Sequence, residues 1–162
     1  MLGRLKEYLK GKVVILGIGN TLNADDGIGS ALASRIKDKV NYTVYDAGIS
    51  PENYLGKIIK DRPDNIVIID AVDFGAKPGD YTILESEAVK TANLFSTHNA
   101  SISLTINYLQ SNFKVNIIIL AVQPKSIDFG DKMSHEVTEV LEKLEDWFSR
   151  LARSVKSDLG KG

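Results

Sequence analysis

Asn65-Ile66-Val67-Ile68-Ile69-Asp70-Ala71 is the stretch that decides the fold. Four consecutive positions, Ile66 to Ile69, are branched apolar residues, with no polar alternation. A strand with one wet face alternates. A strand buried on both faces, as in the centre of a parallel sheet, does not. This segment therefore predicts a central strand covered by helices above and below.

The flanking sequence agrees. Upstream, Val13–Ile18 is a second continuous apolar run, ending in Gly17-Ile18-Gly19-Asn20. A buried strand that stops in a glycine turn is the natural reading. Asp25–Val40 follows with Ile28, Ala31, Leu32, Ile36 and Val40 near helical spacing, and two carboxylates at its start suit a helix dipole. Tyr42–Ala47 alternates as a strand, and Pro51 opens a short helix carrying Tyr54, Leu55, Ile58 and Ile59. Downstream, Lys77-Pro78-Gly79-Asp80 is a turn and Tyr81–Leu84 a short edge strand. Ser86–Thr97 carries no clear period. Ala100–Gln110 reads as a helix, Val115–Val122 as another long apolar strand, and Ser134–Val155 as a closing amphipathic helix. Met1–Lys10 spaces Leu2, Leu5 and Leu9 as a short amphipathic helix packed on the domain surface, stopped by Gly11.

Strands alternating with helices predict an α/β fold: three-layer, with a mostly parallel twisted sheet flanked by helices on both faces. The chain has 162 residues, 43% of them hydrophobic, which suits one domain with a full core. The expectation is a single domain over 1–162, with a helical extension at 1–11 and a frayed tail at 156–162.

Composition narrows the chemistry. The chain has 20 Lys+Arg against 21 Asp+Glu, a net charge of -1, and no basic footprint for nucleic acid or an anionic membrane surface. Its apolar runs fall far short of the ~20 residues of a spanning helix, and the charged first dozen residues do not read as a signal peptide. The expected location is the cytoplasm. Cysteines number zero, which excludes disulfides, zinc knuckles, iron–sulfur ligation and a cysteine nucleophile. Catalysis must use carboxylates, hydroxyls, amides, lysines, or the two histidines, His98 and His135.

In an open parallel sheet, ligands sit beyond the carboxyl ends of the strands. The unusual polar residues gather there. Gly17-Ile18-Gly19 does not extend to a dinucleotide fingerprint, because Leu22 occupies the third glycine position and Asp25 and Asp26 stand where a phosphate would have to sit. One carboxylate would suffice to cap the helix. Two adjacent ones repel, so capping and cation binding both remain open. Asp70 closes its strand, either as a cap for the next turn or as a ligand, and Asp73 reads as a loop residue bonding amides near Phe74-Gly75. His98 lies in Ser96-Thr97-His98-Asn99 before a helix, where a passive histidine is the simplest reading. His135 reads as an exposed surface residue. Taken together, Asp26, Asp70 and His98 come from three loops on one sheet edge. Two carboxylates and one imidazole make a three-donor set for a divalent transition metal, and zinc, nickel, iron or manganese would fit. A serine hydrolase triad is the competing assembly, but no G-x-S-x-G elbow follows a strand.

Gly17-Ile18-Gly19-Asn20-Thr21-Leu22-Asn23-Ala24-Asp25-Asp26-Gly27-Ile28-Gly29 resembles the opening motif of the NiFe-hydrogenase maturation endopeptidases. Asp46-Ala47-Gly48, Ile69-Asp70-Ala71-Val72-Asp73-Phe74-Gly75, Thr97-His98-Asn99 and Ala121-Val122-Gln123-Pro124 resemble its later landmarks, in order, most closely those of the hydrogenase 3-type branch. The resemblance spans about Val13 to Leu144. It implies a phosphorylase/hydrolase-like fold and an aspartic-type classification. It also implies removal of a C-terminal extension from the hydrogenase large-subunit precursor after nickel insertion. Nickel would be carried by the substrate, with no organic cofactor, and Asp26, Asp70 and His98 would be the protein's metal contacts and catalytic set. The first acidic contact is Glu in several members and Asp here. Asp25 and Asp73 would support water activation, and Gln123 would orient the substrate chain. The implied partner is the precursor alone, with no nucleic acid and no membrane, and a monomer is favoured. The alternative is a non-catalytic accessory protein that checks nickel loading. The empty cysteine column fits either, because a thiolate in the protein would compete for a metal held by the substrate's own thiolates.

Overall fold

The computed structural model describes residues 2–91 and 99–161. Five strands form one sheet: β1 (Val13–Ile18), β2 (Thr43–Gly48), β3 (Asn65–Ala71), β4 (Tyr81–Glu85) and β5 (Asn116–Val122). Their order is β2-β1-β3-β5-β4. All neighbours are parallel except β4, which runs antiparallel to β5 at the edge. This is the open, helix-flanked sheet that the sequence predicts, with Asn65–Ala71 at its centre.

The unbroken apolar strands make sense in register. Successive side chains of a strand point to opposite faces. On β3 and β5, Val67, Ile69, Ile118 and Leu120 enter one core with Ile28, Leu32 and Ile36 of α2 (Ile28–Ile36) and Leu144 and Phe148 of the last helix. Ile66, Ile68, Ile117 and Ile119 enter a second core. There they meet Ile58 of α3 (Leu55–Asp61) and Ile102, Ile106 and Leu109 of the helix Asn99–Asn112. Each strand therefore needs apolar residues at every position.

Several boundaries differ from the sequence reading, for physical reasons. The helix expected from Asp25 begins only at Ile28 and stops at Ile36. Residues Ala24–Gly27 form a 3-10 turn instead, entered through Ala24 at a left-handed φ of +50°. The segment expected to be irregular contains a one-and-a-half-turn helix, α4 (Ser86–Thr91), with only Val89 buried. A single inward residue leaves no 3.6-residue period to read. The next helix, α5 (Asn99–Asn112), starts and ends close to expectation, and α6 (His135–Leu159) continues past the expected Val155. At the N-terminus α1 (Leu2–Glu7) does more than rest on the surface. Leu5 is fully buried in the first core, and Arg4 and Tyr8 both donate to Glu85 Oε1 on the edge strand, at 3.0 and 3.2 Å.

Candidate functional site at the carboxyl edge

The chain leaves β1 towards β2 on one side and returns to β3 on the other. The strand order therefore reverses between β1 and β3, and the crevice beyond their carboxyl ends is where such sheets bind ligands. Asp26 follows β1 and Asp70 ends β3, so the topology puts both at that crevice.

Glycine closes the gap. A Cβ on Gly29 would lie 2.1 Å from Ile69 O and 2.2 Å from Ile18 O. The start of α2 thus presses against the ends of β1 and β3 backbone to backbone, an approach only glycine allows. Gly29 stands three residues after Asp26, and Ile69 immediately precedes Asp70. Gly19, with φ +154°, performs the same function one turn earlier, since its Cβ would fall 2.0 Å from Asp26 O. Asp26 is buried, and its Oδ2 accepts from Asn20 N at 3.0 Å. Asp70 is also buried. It continues the even-numbered set of β3 that faces α5, the helix that His98 precedes. His98 itself lies outside the described residues. Among the described residues, no three His, Cys, Asp or Glu side chains form a cluster that could hold an ion.

The two adjacent carboxylates have separate tasks, and neither caps α2, whose N-cap position makes no side-chain bond. Asp25 is fully buried and turns towards the segment between β5 and α6. Its Oδ2 accepts from Lys125 N at 2.8 Å, Ser126 N at 3.3 Å and Ser134 Oγ at 2.9 Å, and its Oδ1 accepts from Ser134 N at 2.7 Å. Its own N–H donates to Ser126 O at 3.0 Å. Such charge-assisted bonds are the strong ones in proteins. This clamp went unread in the sequence. Its partners lie a hundred residues away, and only the suspicious pairing of Asp25 with Asp26 hinted that one of them had another use.

Gln123 is engaged differently from the expectation that it orients substrate. Its Oε1 accepts from Phe74 N at 2.9 Å and Ala76 N at 3.2 Å, and its Nε2 donates to Asp73 Oδ1 at 3.1 Å and Pro124 O at 3.4 Å. The amide is committed to shaping the loop after β3. Asp73 Oδ1 also accepts from Gly75 N at 3.1 Å, the local turn that the sequence predicts. Asp46, at the end of β2, accepts from Ser30 Oγ at 2.6 Å and Gly48 N at 3.2 Å, tying that strand end to α2. His135 is exposed and its Nε2 lies 3.0 Å from Glu139 Oε1 on α6. Lys125 Nζ bonds Glu136 Oε1 at 2.8 Å; this bond raises the lysine pKa and lowers that of the glutamate.

An open α/β sheet with acidic side chains buried at its switch point defines a class, and similarity in sequence makes the class specific. The family model for hydrogenase maturation proteases matches residues 27–149, a span that contains Asp70 and His98 and begins directly after Asp26. The chain belongs to the hydrogenase maturation protease family. It is 31% identical over 140 residues to the hydrogenase 3 maturation protease of Escherichia coli K12, covering 83% of this chain and 89% of that protein. The crystal structure of the NiFe-hydrogenase maturation protease HycI from Thermococcus kodakarensis superposes with a TM-score of 0.82 at 29% identity, over 93% of this chain and 99% of that one. The solution structure of the Escherichia coli endopeptidase HycI gives 0.74 at 28% identity, over 85% and 89% of the two chains. The protein is thus a maturation endopeptidase by family, and the reading as a non-catalytic checkpoint is not favoured. Among the described residues no helix is long and apolar enough to cross a membrane.

Proposed function

We propose that this endopeptidase removes a C-terminal extension from a hydrogenase large-subunit precursor once nickel has been inserted. Nickel arrives as part of the substrate, and Asp26, Asp70 and His98 contact it. The observation that carries this reading is the glycine-enforced approach of α2 to the ends of β1 and β3, which sets two buried carboxylates at one crevice. Carboxylate oxygens and an imidazole are hard or borderline donors. They complete a coordination sphere without removing the metal from softer thiolates. The aspartic-type classification rests on the same two carboxylates, one of which would activate the attacking water. The protein works as a monomer in the cytoplasm, with no organic cofactor and no nucleic-acid partner.

The test is mass spectrometry of a nickel-loaded precursor before and after incubation. Wild-type protein yields a shortened chain. Asp26→Ala, Asp70→Ala and His98→Ala yield none, while their circular dichroism matches that of wild type. Cleavage by all three variants would refute the assignment of the site.

A further inference from the structure

Eight large apolar side chains are exposed among the described residues, and four of them, Leu22, Ile49, Ile127 and Phe129, stand on the loops that close the carboxyl edge. Single exposed apolar residues are ordinary, but several on adjoining loops mark an interaction surface. Here the adjacency is built by hydrogen bonds. Asp25 N donates to Ser126 O at 3.0 Å and Gly130 N donates to Leu22 O at 2.8 Å, so segments 22–25 and 126–130 are joined at both ends. Leu22 and Phe129, 62% and 79% exposed, flank one of these bonds, and Ile127 lies between the two. The Asp25 carboxylate holds the same loop through Lys125 N and Ser126 N. On the other side Gly19 N donates to Gly48 O at 2.8 Å, which brings Ile49 to the same edge.

Beside this ledge is a cavity of about 220 Å³, walled by Ala71, Pro124 and Ile127 and by the polar Asp73, Gln123, Lys125 and Ser126. Ala71 adjoins Asp70. The volume falls below the ~300–1,000 Å³ of ordinary cofactor and small-molecule sites, and it suits one side chain.

We propose that the ledge of Leu22, Ile127 and Phe129, with Ile49 across the opening loop, docks an extended apolar stretch of the precursor beside the scissile bond. One side chain of that stretch enters the cavity. The inference rests on the maturation-protease reading. Its occupant follows from continuity. The ledge and the candidate site share one 3-10 turn, since Asp25 fixes the ledge and Asp26 is the next residue of that turn. A chain presented to Asp26 and Asp70 would run beside the segments that carry these side chains. The four lie on three loops, Ile127 and Phe129 sharing the one between β5 and α6, and form a ledge rather than the long groove that receives an amphipathic helix. Loop-borne apolar residues around a single-side-chain cavity fit an extended chain. An aromatic side chain at such a position is the kind that dominates binding energy.

The experiment uses the full chain, a nickel-loaded large-subunit precursor carrying its extension, and the variants Phe129→Ser, Leu22→Ser and Ile127→Ser. Each residue is at least partly exposed, and a urea midpoint equal to wild type verifies the fold of each. Phe129→Ser is expected to raise KM by about tenfold, the typical cost of losing an interface anchor, with kcat essentially unchanged. The other two raise KM less, and the triple variant raises it most. Unchanged KM in the triple variant, or a fall in kcat alone, overturns the proposal. A concentration-dependent dimer in gel filtration that Phe129→Ser dissolves would assign the ledge to a second copy and likewise overturn it. If wild-type protein fails to cut the precursor, the protease reading fails. The ledge is then judged by equilibrium binding of the same precursor, where weaker binding by the triple variant supports it and equal binding refutes it.

Discussion

Replacing Asp25 separates two accounts of the acidic pair. If Asp25 were a helix cap, Asn would serve as well as Asp and Ala would cost about 1 kcal/mol. The structure assigns it four hydrogen bonds from Lys125 N, Ser126 N, Ser134 N and Ser134 Oγ, all at a fully buried carboxylate. Asp25→Ala strands up to four donors. Each costs about 1–3 kcal/mol if it stays buried and dry, and water entering the space offsets part of the sum. A net loss of about 3–5 kcal/mol is expected, comparable to breaking a buried charged pair. Asp25→Asn is the sharper test. It preserves shape, but its NH₂ group must face either Ser134 N or the Lys125 and Ser126 amides, donor against donor. Because an amide cannot accept at both ends, about 2–4 kcal/mol should be lost. Urea unfolding followed by circular dichroism measures both variants, with an unchanged slope confirming the same transition. Hydrogen exchange adds position: the amides of Lys125, Ser126 and Ser134 should lose protection before the central strands do. An Asp25→Asn protein within about 0.5 kcal/mol of wild type, the range of an ordinary surface change, would refute the clamp.

Two further expectations can be checked with simple measurements. Gly29→Ala forces a methyl group to within 2.1 Å of Ile69 O and 2.2 Å of Ile18 O, so α2 must lift from the sheet. The variant should fold poorly and cut no precursor, and a soluble variant with wild-type cleavage would show that the crevice tolerates a wider gap. Tyr45 donates to Asp61 Oδ2 at 2.8 Å, and burial first, then that bond, pushes its pKa up to about 12. A raised folded-state value means that the neutral phenol favours the fold. This contribution is fully present below the ordinary tyrosine value of 10.0 and is lost as pH rises through about 12. Ultraviolet titration should show Tyr45 ionising late, along with Tyr42, whose pKa burial also raises, and Asp61→Ala should lower the Tyr45 value. Six indistinguishable titrations in the wild type would contradict this.

The sheet was legible because burial on both faces leaves a simple mark. Asn65–Ala71 and Asn116–Val122 have no polar alternation, and only a central parallel strand permits that. The turn at Ala24–Gly27 was less legible. Asp25 and Asp26 before an apolar stripe look like the first turn of a helix, and nothing local shows that Ala24 takes a left-handed φ or that Ser134 waits for Asp25. Gln123 misled for the same reason: its partners Phe74 and Ala76 are backbone amides of a loop that no periodicity describes. Long-range polar bonds to backbone have no sequence signature, whereas apolar burial does.

The 3-10 turn explains how neighbouring carboxylates avoid each other. With 3.0 residues per turn, consecutive side chains diverge by roughly 120°. Asp25 can therefore reach the segment before α6 while Asp26 accepts from Asn20 N on the other side. A chain with 20 basic and 21 acidic residues has charge to spare for neutralising its core acids. Yet it buries Asp26 and Asp70 at one switch point, and glycine backbone, the residue type that costs most to order, holds that edge closed. Selection for stability alone would have filled these positions with apolar residues or single caps. Under the proposed function, two buried carboxylates at the edge where substrate approaches serve the reaction rather than the fold. On the proposed function, a cation brought in by the precursor would bind there, and its binding would return some of the stability that the buried acids cost.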